Sequence, residues 1–187
     1  MLLKRPFSFI MQNSIKDLIR TIPDYPEKGI LFWDITTLLE DAKGFRTTID
    51  EMVKPLRGLN ISKVVGIEAR GFILGGAIAY QLGVGFVPIR KKGKLPWDVI
   101  SQDYELEYGT DTLEIHTGSI KSGEVILLVD DLLATGGTVC AAIELVHRSK
   151  GKVIACSFIG HLPELEGQRK LVEHGIPMFS LCIFEGI

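Results

Sequence analysis

The stretch Val125-Ile126-Leu127-Leu128-Val129-Asp130-Asp131-Leu132-Leu133-Ala134-Thr135-Gly136-Gly137-Thr138 decides how the chain is read. Its apolar opening, Glu124 to Val129, has the length and branching of a strand buried on both faces. Two carboxylates follow, then a small Ala-Thr-Gly-Gly-Thr turn, then helical apolar spacing over Val139 to Arg148. In α/β sheets, ligands bind at the carboxyl ends of strands. A turn of this kind presents free backbone N–H groups and hydroxyls at a helix N-terminus, where the helix dipole favours a phosphate. Gly136 and Gly137 carry no side chain, so the backbone can approach the phosphate closely. Because the acids precede the turn, one segment can hold a sugar hydroxyl pair and a 5′-phosphate together. A P-loop is excluded, since the turn lacks Gly-Lys-Ser/Thr. The dinucleotide fingerprint GxGxxG is absent, and its ribose-binding acid lies about 20 residues downstream of its turn. A Gly-Gly turn alone, or an acid pair alone, would say little. Their order is what points to a sugar phosphate.

Outward from this segment the chain alternates. Strands are expected over Lys63 to Ile67, Gly85 to Ile89, Lys152 to Ile159 and Met178 to Phe184. Helices are expected over 43 to 57, Phe72 to Leu82 and Leu165 to His174. That pattern predicts an α/β domain around a mostly parallel sheet. Near the start, Asn13 or Ser14 can cap a short helix whose apolar face is Ile15, Leu18, Ile19 and Ile22; Pro23 and Pro26 stop it. Ile30 to Ile35 has strand character. Residues 90–110 break the alternation. They are polar and turn-rich, and a structureless stretch of this length reads as a lid or binding loop.

The length of 187 residues with 46% hydrophobic content suits a single domain with a sizeable core. The net charge of −2 argues against a general nucleic-acid binder. No apolar run approaches the roughly 20 residues needed to span a membrane. Residues 1–12 read as a loose N-terminal extension before a single domain over 13–187. Cys140, Cys156 and Cys182 form no CxxC pair and read as core thiols, which fits a reducing cytoplasm. His116, His147, His161 and His174 lack metal spacing and read as structural or surface residues.

The Val125–Thr138 segment closely resembles the phosphoribosyl pyrophosphate (PRPP) motif of the type I phosphoribosyltransferases. Four more stretches extend the resemblance from about Ile15 to the end and narrow it to the adenine-specific family. Ile22-Pro23-Asp24-Tyr25-Pro26 with Gly29-Ile30-Leu31-Phe32-Trp33-Asp34-Ile35-Thr36 is similar to that family's hood, at about 22–36. Glu68-Ala69-Arg70-Gly71-Phe72 resembles its pyrophosphate loop. Arg90-Lys91-Lys92-Gly93-Lys94-Leu95-Pro96 and Tyr104-Glu105-Leu106-Glu107-Tyr108-Gly109 with Leu113-Glu114-Ile115 resemble the two ends of its flexible loop, at about 90–110.

The resemblance implies a five-stranded, mostly parallel sheet flanked by helices, with a small N-terminal hood. It implies adenine and PRPP as substrates and AMP and pyrophosphate as products, a step in purine salvage. It also implies a homodimer and Mg2+ held mainly by substrate oxygens, with no direct protein ligand. Ala69, Arg70, Arg90 and Lys94 would serve the pyrophosphate, the match to Arg90 in the family reaching across the dimer. Asp130, Asp131, Ala134, Thr135, Gly136, Gly137 and Thr138 would hold ribose and 5′-phosphate. Adjacent strand residues point to opposite faces, so one of the two acids can instead fix the loop.

Glu107 matches the family's acid/base glutamate, with Glu105 as its rival one strand period away. Tyr108 would position the loop. Phe32 would stack on the adenine, Leu31 would line the slot, and backbone groups at Leu31 and Trp33 would read the purine edge. Trp33 departs from the basic residue usual there, and its side chain and its backbone both remain candidates for the contact. Two alternatives stand beside this reading: a phosphoribosyltransferase for hypoxanthine, guanine, xanthine or orotate, and a non-catalytic PRPP-sensing regulator.

Overall fold

A computed structural model describes residues 15–105 and 109–185. In chain order the elements are β1 (Arg20–Pro23), β2 (Leu31–Asp34), α1 (Thr36–Glu40), α2 (Ala42–Val53), β3 (Lys63–Ile67), α3 (Arg70–Leu82), β4 (Gly85–Lys91), β5 (Val99–Glu105), β6 (Thr110–His116), β7 (Val125–Leu133), α4 (Gly137–Arg148), β8 (Lys152–His161), α5 (Gly167–Glu173) and β9 (Met178–Ile183). The main sheet has seven strands in the order β5-β6-β4-β3-β7-β8-β9. Strands β4, β3, β7, β8 and β9 run parallel, and the β5–β6 hairpin is added antiparallel at the β4 edge. The expected five-stranded parallel core is therefore present within a larger sheet.

The reason β7 reads as unbroken apolar residues is that both its faces are covered. Ile126 and Leu128 join the core beneath α4, with Ala142, Ile143 and Val146. Leu127 and Val129 join the core on the other face, with Ile49 and Met52 of α2 and Leu74 and Ile78 of α3. Fully burying one such side chain stabilises the fold by roughly 1.5–3 kcal/mol. A strand anchored on both faces can thus carry polar groups at its carboxyl end.

The described residues of 90–110 do not form a structureless loop. Strand β4 continues through Arg90 and Lys91, and β5 and β6 pair from Val99↔His116 to Glu105↔Thr110. The packing face of β5 is Ile100, Gln102 and Tyr104, of which Ile100 and Tyr104 rest on the α4 core. Two hydrophobic residues among polar ones give a period-2 signal too weak to stand out in sequence. A second correction concerns Ile22. It lies in β1, paired with Phe32, rather than on the face of a helix. Asn13 and Ser14 lie outside the described residues.

Strands β1 and β2 form a separate two-stranded sheet. Arg20 donates from Nη2 to Asp34 Oδ2 at 2.6 Å across it. The sheet meets the main body through Trp33, whose ring stacks on Phe184 with centroids 4.3 Å apart. Lys16 lies over both rings and donates from Nζ to the Ile183 carbonyl at 2.7 Å.

Candidate active site

Strand β7 delivers Asp130 and Asp131 to the carboxyl edge of the sheet, and the chain then turns into α4. Gly136 occupies the position before the helix at φ +82°, a conformation open to glycine at little cost. Glycine supplies no side-chain cap, so the first-turn N–H groups of α4 remain available to an anion. A cavity of about 80 Å3 opens here, lined among others by Asp130, Thr135, Gly136 and Thr138.

The two acids meet different partners. Asp131 is buried and accepts from Arg70 Nε at 2.5 Å. Asp130 faces the cavity and accepts from the Asp131 N–H at 2.9 Å. Desolvation pushes the Asp130 carboxyl well above the ordinary range, and the adjacent charge of Asp131 adds to the effect.

The pyrophosphate-loop residues fold into a network of their own. Ala69 precedes the first residue of α3, which is Arg70. The Arg70 guanidinium lies 5.5 Å from the Phe32 ring centre, so it links β7 to the hood as well as pairing with Asp131. Arg90 donates to Glu68 at 3.2 Å and to the Lys94 carbonyl at 3.0 Å. Burial pushes the Glu68 carboxyl up, but hydrogen bonds from the Lys91 N–H and Arg90, with the charges of Arg90 and Lys94, hold it below its usual value. Within this chain, then, Arg90 is turned onto Glu68, and Lys94 is exposed at the turn before the hairpin.

A cleft of about 600 Å3 runs from β2 to the turn after β7. Leu31, Phe32 and Trp33 line one wall, and Ala134 and Thr135 line the other end. Leu132, Leu162, Leu165 and Lys170 complete the lining and were not singled out in the sequence. The two apolar residues of Leu162-Pro163-Glu164-Leu165, just past the carboxyl end of β8, were the available signal. Glu105 also faces the cleft, whereas Glu107 and Tyr108 lie outside the described residues.

The hairpin is seated directly on the glycine turn. A Cβ on Gly137 would stand 2.9 Å from the Glu105 carbonyl oxygen. Tyr104 donates to Asp111 at 3.2 Å, and Asp111 pairs with Lys91 at 3.2 Å. Among the described residues, no cluster of His, Cys, Asp and Glu could hold a metal ion by itself. No helix among them is long and apolar enough to cross a membrane. Burial pushes the thiols of Cys156 and Cys182 up, that of Cys182 to about 11, which suits core residues rather than nucleophiles.

Comparison with known proteins agrees with this architecture. Residues 38–175 match the phosphoribosyl transferase domain family. The chain is 60% identical over 175 residues to adenine phosphoribosyltransferase of Ruegeria pomeroyi, covering 94% of this chain and 98% of the relative. The crystal structure of adenine phosphoribosyltransferase from Rhodothermus marinus superposes with a TM-score of 0.89 at 45% identity, covering 94% of this chain and 99% of that one. The Saccharomyces cerevisiae enzyme, solved with an imino-altritol bisphosphate and adenine, superposes with a TM-score of 0.86 at 36% identity, covering 92% and 99%. The fold is thus shared with these enzymes over nearly the whole chain, and the chain belongs to the phosphoribosyl transferase domain family, among its adenine phosphoribosyltransferases.

Proposed function

We propose that this chain transfers the 5-phosphoribosyl group of PRPP to adenine, giving AMP and pyrophosphate. The observation that carries this reading is the continuity of the cleft: the slot lined by Leu31 and Phe32 opens onto Thr135 of the phosphate turn. A nucleoside monophosphate has that layout, an apolar base at one end and a dianion at the other.

In this reading a purine nitrogen attacks the anomeric carbon of PRPP. The new C–N bond forms as the C–O bond to pyrophosphate breaks, and the bonding pair leaves with pyrophosphate. Positive charge develops on the ribose ring, so water must be excluded; the seating of the hairpin on Gly137 supports a closing role for it. Glu107 takes the proton of the base, and Tyr108 positions the loop over the substrate. Phe32 stacks on adenine, while backbone groups at Leu31 and Trp33 read its edge. The N–H groups of residues 134–138, with the hydroxyls of Thr135 and Thr138, bind the 5′-phosphate. Arg70, with Ala69, Arg90 and Lys94, receives the leaving pyrophosphate. For Arg70 this requires release from Asp131, or sharing of the guanidinium fork between them.

The donor set fits a magnesium ion carried on substrate oxygens. Asp131 is already paired with Arg70, and burial favours the protonated form of Asp130, so both suit water-mediated contact better than direct ligation. When bound, the ion neutralises charge on the leaving pyrophosphate. A homodimer, with Arg90 turned from Glu68 toward the neighbouring site, and a cytoplasmic location complete the reading.

The test is base competition. Purified protein receives PRPP and magnesium with equal adenine, hypoxanthine, guanine and orotate, and the nucleotides are separated. AMP alone is expected. A different nucleotide would sink the reading of the hood, and no nucleotide from folded protein that binds PRPP would leave a PRPP sensor.

A further inference from the structure

The phosphate turn has a charge problem. Residues 130–138 contain two acids and no lysine or arginine. The arginine nearest to them in the network, Arg70, is committed to Asp131. The helix dipole of α4 supplies only about half a positive charge. A phosphate dianion would therefore be received by backbone N–H groups and hydroxyls, with no cation from the motif itself.

Lys170 answers this from outside the motif. It stands on α5, and its Nζ donates to the Thr135 carbonyl at 2.9 Å. Its stem lies against Gly136, where a Cβ would come within 3.3 Å of Lys170 Cδ. The start of α5 is itself pinned to the turn, because the Gly167 N–H donates to the Ala134 carbonyl at 3.0 Å. A side chain on Gly167 would collide with that carbonyl. Lys170 also lines the cleft, together with Ala134 and Thr135. Its carboxylate neighbour, Glu166, stands 3.9 Å away and is paired more closely with Arg169, at 2.7 Å.

We infer that Lys170 is the cation of the phosphate site, acting in two ways. By holding the Thr135 carbonyl it aims the Gly136 N–H to the opposite side of the same trans peptide, away from α5. Its charge also draws the 5′-phosphate of PRPP and AMP. The inference rests on the phosphoribosyl-transfer reading above.

Titration calorimetry with AMP and with adenine, at low and high salt, tests it on the wild type, Lys170→Met, Lys170→Gln and Lys170→Arg. The methionine variant should weaken AMP binding roughly three- to tenfold, the reach of one partly screened charge, with a flatter salt dependence and a change of less than about twofold for adenine. Arginine should restore AMP affinity. Glutamine keeps an N–H donor for the carbonyl without the charge and should recover only part of it. Equal losses for AMP and adenine would overturn the inference by making Lys170 a packing residue. Wild-type affinity for AMP in the methionine variant would also overturn it. Wild-type protein that forms no AMP would overturn the underlying reading as well, and that failure is distinguishable because it appears before any substitution.

Discussion

At one end of the cleft, the turn 134–138 hangs from β7, whose apolar residues are buried on both faces, and is tied to α5 by the hydrogen bond from the Gly167 N–H to the Ala134 carbonyl. At the other end, Leu31 to Asp34 belong to a two-stranded sheet that meets the body through the Trp33–Phe184 stack and Lys16. The first end offers backbone donors on a rigid scaffold. The second offers side chains on a small, separately supported element. A phosphate is the same in every substrate, and fixed N–H groups suit it. A base must be told from other bases, and that depends on slot shape and on which side chains pack behind it.

The substitution with the largest expected effect concerns Glu107, the acid/base residue of the proposed reaction. Glu107→Ala should lower kcat by about a hundredfold or more while leaving the KM for PRPP nearly unchanged. Steady-state kinetics with both substrates checks this, and equal losses in kcat and PRPP binding would make Glu107 a positioning residue.

Gly136→Ala attacks the rigid end alone. A left-handed residue with a Cβ costs about 1–2 kcal/mol, and here the Cβ would also stand 2.8 Å from Gly167 Cα. The KM for PRPP should rise at least about tenfold with little change for adenine. A matching rise for adenine would show that the two ends are not independent.

Trp33→Leu attacks the other end. Loss of the stack on Phe184 should lower stability by about 2 kcal/mol and raise the KM for adenine several-fold, with PRPP unaffected. Thermal unfolding alongside kinetics separates the two effects, and a larger change for PRPP than for adenine would break the comparison.

The smallest effect concerns acid. Hydrogen bonds from the Thr36 hydroxyl and N–H, then from Arg20, hold the Asp34 carboxyl at about 2. A carboxylate depressed by folding contributes stability above its unfolded pKa and loses it as pH falls through the folded value. The hood should therefore loosen as pH falls from about 4 to about 2, by no more than about 1 kcal/mol. Thr36→Val removes the leading contact and should flatten that slope in pH-dependent unfolding; an unchanged slope would clear Asp34 of the role.

Much of the phosphate end was legible because its parts are neighbours along the chain. An apolar strand, two acids and a glycine turn act through backbone geometry, which local composition already constrains. The alternation of strands and helices likewise gave away the parallel core, since burial on both faces leaves long apolar runs. Strand β5 was not legible, because Ile100 and Tyr104 are the only strongly apolar residues on its packed face and α4 supplies the rest of the signal.

What the sequence by itself determined is the set of backbone turns and the order of elements, because both follow from short-range chemistry. The tertiary structure alone decided the partners of long side chains. Arg70 reaches Asp131 across 61 positions, and Lys170 reaches Thr135 across 35. The open question at Trp33 is of the same kind: its indole packs on Phe184, at the far end of the chain. Such contacts are set by which crossovers bring strands side by side, and no periodicity within a single segment records that.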